Sequence, residues 1–292
     1  MLLKDFFTEQ YKPIRLLGKS SRTVDLYEYS IRLLADTTGR EPTMDDLNDM
    51  ALAKHMQVLI DRGRSPHSVN KERSQIVAIW NFAAKIRMVE SFPTVPAVGA
   101  PDRLPQAWSQ QQLQSLFDSC RDEKGQVDGI KAGDWWLAIH YVLWDTGERI
   151  GAIMKVCWEN YEGGWLTVPG EYRKGKKRTM QTRLHADTTK ALAAIPTREG
   201  LIFPWDKSET YIYHVYKRIL KRAGLPTDSR SKFHRMRRSV ASHMHAAGGD
   251  ATEQLGHSSD SITRKSYLDP RISKGDQPCD ILFRPTEDSQ LG

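Results

Sequence analysis

Five polar side chains recur in an order that suits chemistry at a phosphate group. Arg149 follows a Thr-Gly turn, His234 and Arg237 stand three residues apart, His257 follows a Leu-Gly pair, and Tyr267 comes ten residues later. A spacing of three residues places an imidazole and a guanidinium on one face of a helix. Guanidinium groups bind phosphate oxygens through paired hydrogen bonds, and a phenol can attack phosphorus once its proton is removed. The set therefore predicts phosphoryl transfer without a metal ion.

The histidines do not form a metal-binding pattern. His234, His243, His245 and His257 lie near one another, but no cysteine or carboxylate joins them at the spacing of zinc ligands. A glycine-rich loop of the Walker or dinucleotide-binding kind is also missing from the sequence. We therefore expect neither a metal ion nor a cofactor.

Positive charge is concentrated in two segments of a chain whose net charge is +7. Residues 173–183 contain six basic side chains and no acid, and residues 214–238 contain nine lysines and arginines with one acid, Asp228. Such clustering suits a partner with dense negative charge. Charge alone leaves an alternative open, because a solvated face with compensating acids nearby gives the same pattern.

Residues 1–92 carry helical patterns only. Apolar residues from Val24 to Leu34 recur at helical spacing. Thr43, followed by two acids, predicts the N-cap of a helix that runs to Ile60, and Ser65 predicts the start of another. We interpret this segment as a small helical domain.

The proline-rich stretch 93–107 predicts an extended linker to a second domain over residues 108–292. Strands are predicted at 165–168 and 179–184, on either side of a basic loop. Helices are predicted at 135–144, 188–195, 210–223, 239–247 and 252–255. The fold class is therefore mainly α (α+β): a helical N-terminal domain and a mostly helical second domain with a small antiparallel sheet.

The order of the polar residues resembles the tyrosine recombinase (phage integrase) family. That family carries an arginine, a hairpin lysine, His-x-x-Arg, a histidine in a Leu-Gly-His-Ser context and then a tyrosine. The match extends over residues 146–267, and its most specific part is LGHSS at 255–259 followed by Tyr267. Residues 1–92 also look like the family's helical DNA core-binding domain, particularly residues 65–93. The resemblance implies a site-specific recombinase that cleaves and rejoins DNA in integration, excision or resolution.

The resemblance also implies a role for each residue of the site. Tyr267 would attack the scissile phosphate and form a 3′-phosphotyrosine intermediate. A phenol needs help near neutral pH because its ordinary pKa is about 10. Arg149 and Arg237 would hold the non-bridging oxygens of the phosphate. His234 would assist proton movement at the tyrosine, and His257 would hydrogen-bond the phosphate.

A lysine of the basic loop would protonate the leaving 5′-oxygen as general acid. We assign this role to Lys174, because Lys-Gly-x-Lys looks most like the family's loop, and Lys176 is the alternative. The covalent intermediate conserves bond energy, so ATP is not required. Further DNA contacts are expected from Lys71, Arg73, Arg173, Lys176, Lys177, Arg178 and Arg235.

Two positions depart from the family pattern. Ala152 stands three residues after Arg149, where members often carry Glu or Asp. The missing acid puts support of the site in doubt but leaves the nucleophile unaffected. Arg238 stands where many members have His, at a commonly variable place.

Two other functions stay open at this point. A type IB topoisomerase uses closely similar chemistry on one duplex, and a catalytically silent DNA-binding protein could keep the same fold. The helical N-terminal domain and the Leu-Gly-His-Ser context favour the recombinase over the topoisomerase. Competent side chains at all six candidate catalytic positions argue against the silent protein.

The expected partner is double-stranded DNA, bound by a homotetramer on two sites, with a monomer or weak oligomer free in solution. The tail 268–292 contains an apolar cluster at 281–283. We expect the tail to dock on its own domain or, as the resemblance favours, on a neighbouring subunit. Three widely separated cysteines and an N-terminus without a signal-peptide core indicate a cytoplasmic, nucleoid-associated protein without a membrane partner.

Overall fold

The computed structural model describes residues 1–175, 178–196 and 198–275 of the 292 in the chain. The chain divides into two compact units between residues 102 and 103, within the stretch predicted as a linker. Part of that stretch belongs to the first unit, because Val95 and Val98 pack against its core. The predicted apolar cluster of the tail, at 281–283, lies outside the described residues.

The first unit consists of helices around one apolar core. Its longer helices begin at polar N-caps, where the side chains of Ser20, Asn48 and Ser65 accept hydrogen bonds from the first turn. A π-helical turn (Phe7–Tyr11) and a 3₁₀ turn (Met44–Asp46) complete it. The helices are α1 (Leu3–Phe6), α2 (Lys12–Arg15), α3 (Ser21–Thr38), α4 (Asp49–Asp61) and α5 (Pro66–Lys85).

The helix predicted from Thr43 to Ile60 is two elements. Thr43 and Asp46 form a capping box, but only around the 3₁₀ turn. Asn48 then caps α4 by accepting a hydrogen bond from the Ala51 amide. Two N-cap signals follow one another in this sequence, and the second begins the longer helix.

Over its described residues the second unit is mostly helical, with two small antiparallel sheets. Its helices are α6 (Gln110–Arg121), α7 (Ala132–Thr146), α8 (Ile150–Ile153), α9 (Ala186–Ala193), α10 (Tyr211–Arg222), α11 (Phe233–Ala246), α12 (Ala251–Leu255), α13 (Asp260–Ser266) and α14 (Pro270–Ser273). Its strands are β1 (Gln126–Val127), β2 (Ile130–Lys131), β3 (Tyr161–Glu162), β4 (Trp165–Val168) and β5 (Met180–Arg183). The predicted fold class is confirmed.

The β4–β5 pair agrees with the two predicted strands, and Leu166 lies opposite Thr182. The β1–β2 hairpin and helix α13 were not predicted, since both are short and lack a clear periodic pattern. The apolar helix α7 is the centre of the unit and packs against α6, α9 and α11. Helix α11 begins at Phe233, earlier than predicted, and so contains both His234 and Arg237.

A buried histidine makes the stability of the second unit depend on pH. His140 on α7 is 0% exposed, its Nδ1 hydrogen-bonds the Trp136 carbonyl, and burial lowers its pKa to about 4. Between pH 6.5 and 4 the unfolded chain binds a proton here that the folded chain does not bind. Stability from this residue is therefore lost as pH falls through that range.

We expect His140→Phe to flatten this dependence. From pH 7 to pH 5 the natural chain should lose about 2 kcal/mol more unfolding free energy than the variant does. Urea denaturation at both pH values, followed by tryptophan fluorescence, measures the difference. The exposed His214 supplies the matched control, because His214→Phe makes the same chemical change outside the core. Equal losses in the natural chain and in His140→Phe would contradict the assignment.

Candidate active site

The first arginine of the site lies just after the end of α7. That helix ends at Gly147, whose φ of 62° is left-handed and whose missing side chain leaves room for Leu255. A Cβ at residue 147 would lie 2.7 Å from Leu255 Cδ2. Glu148 turns inward and is 3% exposed, whereas Arg149 is half-buried at the start of α8. No hydrogen bond or ion pair from a described residue holds the Arg149 guanidinium.

Arg237 joins the turn at residue 147 to the end of α12. Its side chain is 1% exposed, and its Nη1 donates to the Gly147 carbonyl. Its Nη2 donates to the Leu255 carbonyl at 2.8 Å and to Nε2 of His257 at 3.1 Å. Desolvation and the charge of Arg149 lower its pKa to about 10, so it stays cationic near neutral pH. A fixed, desolvated cation thus lies at the centre of the site.

His257 is neutral, and its hydrogen bonds define its tautomer. A guanidinium can only donate, so Nε2 of His257 accepts from Arg237. Nδ1 therefore carries the proton and donates to Thr263 Oγ1 at 2.9 Å. Desolvation and the charges of Arg237, Arg149 and Arg173 lower its pKa to about 4.

Tyr267 lies against these groups in the same chain. It follows α13, is 6% exposed, and belongs to a small apolar cluster with Leu255. Its ring centroid is 4.4 Å from that of His257 and 5.2 Å from that of His234. The Arg237 guanidinium carbon lies 5.6 Å from the centre of the ring. Four of the six predicted catalytic residues are therefore brought together.

His234 lies one turn before Arg237 on α11; its ring packs against Tyr267, and the rest of the residue is exposed. Its pKa is lowered to about 4 by desolvation and by the charges of Arg238, Arg237 and Arg149. Both histidines beside Tyr267 are consequently neutral near pH 7, and a neutral imidazole can accept a proton.

The predicted general acid lies on the loop between a 3₁₀ turn, Gly170–Tyr172, and β5. Lys174 is exposed there, and so is Arg178. Lys176 and Lys177 lie outside the described residues. The choice between Lys174 and Lys176 therefore remains a prediction.

Two arginines predicted to contact DNA lie in the interior instead. Arg173 is 7% exposed, and its Nε is 2.6 Å from Oε1 of Glu148. Arg235 is 6% exposed, with its guanidinium 3.5 Å from the centre of the Trp108 ring. Arg235 also donates to the Ala107 carbonyl at 3.2 Å. We correct the expectation for both, because each guanidinium is buried and contacts residues distant in sequence inside the protein.

The two basic residues predicted on the first unit lie on α5. Lys71 is exposed, and its Nζ is 3.5 Å from Glu72. Arg73 donates through Nε to the Val95 carbonyl at 2.8 Å and so secures the segment after α5. A contact with DNA stays a prediction for both residues.

The segment just after Tyr267 is held by a buried aspartate that the sequence analysis missed. Asp269 is 1% exposed, and its Oδ2 accepts from the Ala107 amide at 2.8 Å and from Arg271 Nη2 at 2.6 Å. Its own amide donates to Ser242 Oγ, which in turn donates to the Tyr267 carbonyl. The chain on the far side of the tyrosine is thereby anchored to the start of the second unit.

We expect Asp269→Asn to destabilise the protein by about 1–3 kcal/mol, because an amide nitrogen would face donors that now bond a carboxylate. Any chemistry at Tyr267 should slow about tenfold, since small displacements of reacting groups are costly. Thermal melting and the rate of adduct formation measure the two effects. Asp260→Asn, on the exposed Asp260–Arg264 pair, is the matched control. If Asp269→Asn has the melting temperature and the reaction rate of the natural chain, Asp269 does not hold the segment after Tyr267 in place.

Glu148 was also missed. Three residues after Arg149, where members of the family often carry an acid, this chain has Ala152. The acid present lies immediately before Arg149 instead, with Oε2 at 3.8 Å from Arg237 Nη1. The sequence did offer one signal for Glu148, which is its position inside the Thr-Gly-x-Arg segment that carries the first arginine.

Within residues 1–175, 178–196 and 198–275, no group of three or more His, Cys, Asp or Glu is arranged to hold a metal ion. Over the same residues, no helix combines the length and apolar composition of a membrane span.

The sequence model of the phage integrase family matches residues 107–273, which is more than half of the chain. This chain belongs to the phage integrase family. The family consists of site-specific tyrosine recombinases, and the matched residues include all six predicted catalytic positions. The resemblance in the order of the polar residues is thus confirmed as family membership.

Solved structures share the fold. A lambda integrase dimer bound to a COC′ core site is 18% identical with a TM-score of 0.73, covering 95% of this chain and 99% of that chain. A lambda integrase tetramer bound to a Holliday junction is 17% identical with a TM-score of 0.72, covering 95% and 80%. The Tn1549 transposon integrase with a circular intermediate DNA is 12% identical with a TM-score of 0.71, covering 96% and 97%. No curated protein matches this sequence.

Proposed function

We propose that this chain cleaves and rejoins double-stranded DNA through a 3′-phosphotyrosine intermediate at Tyr267. The observation that carries the proposal is the position of Tyr267, whose ring lies 4.4 Å from His257 and beside the buried Arg237. A nucleophile, a fixed cation and two neutral imidazoles meet there within one chain. Together they can activate a phenol and stabilise a pentacoordinate phosphate.

The two arginines act on the phosphate oxygens. Arg149 lies half-buried with its guanidinium available, and Arg237 is held in place by the Gly147 and Leu255 carbonyls. Negative charge on the phosphorus oxygens increases in the transition state. Arg237 is already positioned and desolvated, so it stabilises that charge without reorganising.

The two histidines take part in proton transfer and hydrogen bonding during cleavage. Neutral His234 accepts the phenolic proton of Tyr267. His257 donates a hydrogen bond to a phosphate oxygen once its Nε2, which accepts from Arg237 in the DNA-free protein, has gained a proton. In the DNA-free protein nearby guanidinium charges help to hold both pKa values near 4. A bound phosphate offsets these charges and raises both pKa values towards the working pH, where proton transfer is most efficient.

Lys174 supplies the proton that the departing 5′-oxygen requires. The phosphotyrosine bond retains the energy of the phosphodiester, so rejoining uses the freed 5′-hydroxyl and consumes no ATP. No cofactor takes part in this scheme.

The direct test uses a nicked suicide DNA that carries a half-site and loses its 5′-hydroxyl fragment on cleavage. We expect an adduct that survives SDS and that peptide mass analysis locates at Tyr267. Binding without any adduct would instead identify a silent DNA-binding protein. Relaxation of plasmids that lack the site would favour a type IB topoisomerase.

Assembly on DNA is the second part of the proposal. We propose a homotetramer on two DNA sites, with the protein located at the nucleoid. The lambda integrase tetramer on a Holliday junction shares this fold and supports the idea. Sizing of the protein with two-half-site DNA tests it, and complexes that never exceed one duplex would contradict it.

A further inference from the structure

Arg173 is a buried arginine to which the scheme above gives no role. Its side chain is 5% exposed, and its Nε lies 2.6 Å from a Glu148 carboxylate that is 2% exposed. Removing two charges from water is costly, and attraction offsets this cost only where the geometry is good and other hydrogen bonds satisfy the remaining atoms. The other hydrogen bonds of Arg173 therefore indicate the role of the Arg173–Glu148 ion pair.

The Arg173 guanidinium bridges two other segments of the site. Its Nη1 donates to the Arg178 carbonyl at 3.0 Å, which joins the two ends of the loop that carries Lys174. Its Nη2 donates to the Leu255 carbonyl at 3.1 Å, two residues before His257. One side chain thus closes the base of the lysine loop and attaches it to the histidine segment.

Gly256 provides the space for this guanidinium. A Cβ at residue 256 would lie 2.6 Å from Arg173 Nη2, and its φ of +61° is itself left-handed. The close approach of Arg173 to the backbone therefore requires glycine at this position.

Glu148 connects the same guanidinium to the phosphate-binding arginines. The Arg149 amide donates to Glu148 Oε2 at 3.3 Å, and Arg237 Nη1 lies 3.8 Å from that oxygen. The carboxylate therefore faces the lysine loop on one side and both arginines on the other.

We propose that the Arg173–Glu148 pair positions the lysine loop relative to the scissile phosphate, and that it supplies the support that Ala152 does not. Arg173 is a positioning residue in this account and acts through Lys174. The inference rests on the proposed function, in which Lys174 protonates the leaving oxygen. Lys174 is exposed and has a long side chain, so its alignment depends on how its loop is held. Without that support, a general acid loses most of a contribution of about 10²–10⁴-fold.

The test compares two suicide substrates, one ordinary and one with sulfur at the 5′-bridging position. A thiolate leaves without a proton, so the sulfur substrate does not need the general acid. Arg173→Met should cleave the ordinary substrate about 10²-fold more slowly than the natural chain and the sulfur substrate within about 3-fold of it. DNA affinity should be unchanged, because this side chain is buried.

Two more variants separate positioning from folding. Glu148→Gln/Arg173→Met removes both charges, so neither member of the pair is left alone, and Arg237 keeps its bonds to the Gly147 and Leu255 carbonyls. This double variant should show the same selective defect. Arg222→Met is the matched control, because Arg222 pairs at 2.7 Å with Glu123, another buried carboxylate of this unit. It should lower the melting temperature and leave both cleavage rates unchanged.

Equal losses on the two substrates, or no loss on ordinary DNA, would overturn the role of Arg173. Lys174→Met should itself be slow on ordinary DNA and recover with sulfur. If Lys174→Met stays equally slow on both, the acid is not Lys174 and this inference fails, while the assignment of Tyr267 stands. A natural chain that forms no adduct on either substrate refutes the proposed function itself.

Discussion

Tyr267→Phe should form no covalent adduct with DNA while binding a half-site with nearly natural affinity. The change removes one oxygen, the atom that bonds to phosphorus, so the cleavage rate should fall by about 10⁴-fold or more. The phenyl ring should still pack against His257 and Leu255, which keeps the local fold. Single-turnover cleavage of a suicide substrate and gel-shift binding measure the two quantities side by side.

The control makes the same chemical change elsewhere in the second unit. Tyr213 lies on α10 with its ring against Phe233, and Tyr213→Phe should leave the amount of adduct unchanged. A covalent adduct that persists in Tyr267→Phe would assign the nucleophile to another residue. Lost DNA binding in that variant would mean that the hydroxyl matters for the fold.

Arg237→Met should reduce cleavage by about 10³-fold, the loss expected when a fixed donor to a developing oxyanion is removed. Stability should fall by only about 1–3 kcal/mol. In this variant the Gly147 carbonyl loses its side-chain donor. The Leu255 carbonyl and the Glu148 carboxylate still interact with Arg173. The variant should therefore be folded and able to bind DNA, yet nearly inactive.

Arg237→Lys tests whether positive charge alone suffices. An ammonium group cannot bond two carbonyls, His257 and a phosphate at once, so this variant should cleave at a rate closer to that of Arg237→Met than to that of the natural chain. Arg218→Met is the control, because Arg218 pairs with the distant Glu123. Cleavage by Arg237→Lys at the natural rate would show that the site requires only a positive charge at this position, and not the several N–H donors of a guanidinium.

Local signals in the sequence were sufficient for much of this protein. Caps and periodicity predict α3 and α5 because a helix depends on neighbours three and four residues away. The apolar run at 135–144 predicts α7. The strands β4 and β5 lie where the sequence predicts them, on either side of the basic loop. The order of the catalytic residues indicated the family, which the sequence model of the phage integrase family then confirmed.

Only the tertiary structure decided which charges are buried and what they hold. Arg173, Arg178 and Arg235 look equivalent in a basic sequence, but Glu148 and Trp108 take the first and the third into the interior. Asp269 bonds the Ala107 amide across 162 residues, and no pattern in the sequence announces that contact. The chain by itself thus determined which side chains could do chemistry at a phosphate. Packing decided which cations face the site and which support it, because a guanidinium is stable inside a protein only where distant residues supply its acceptors.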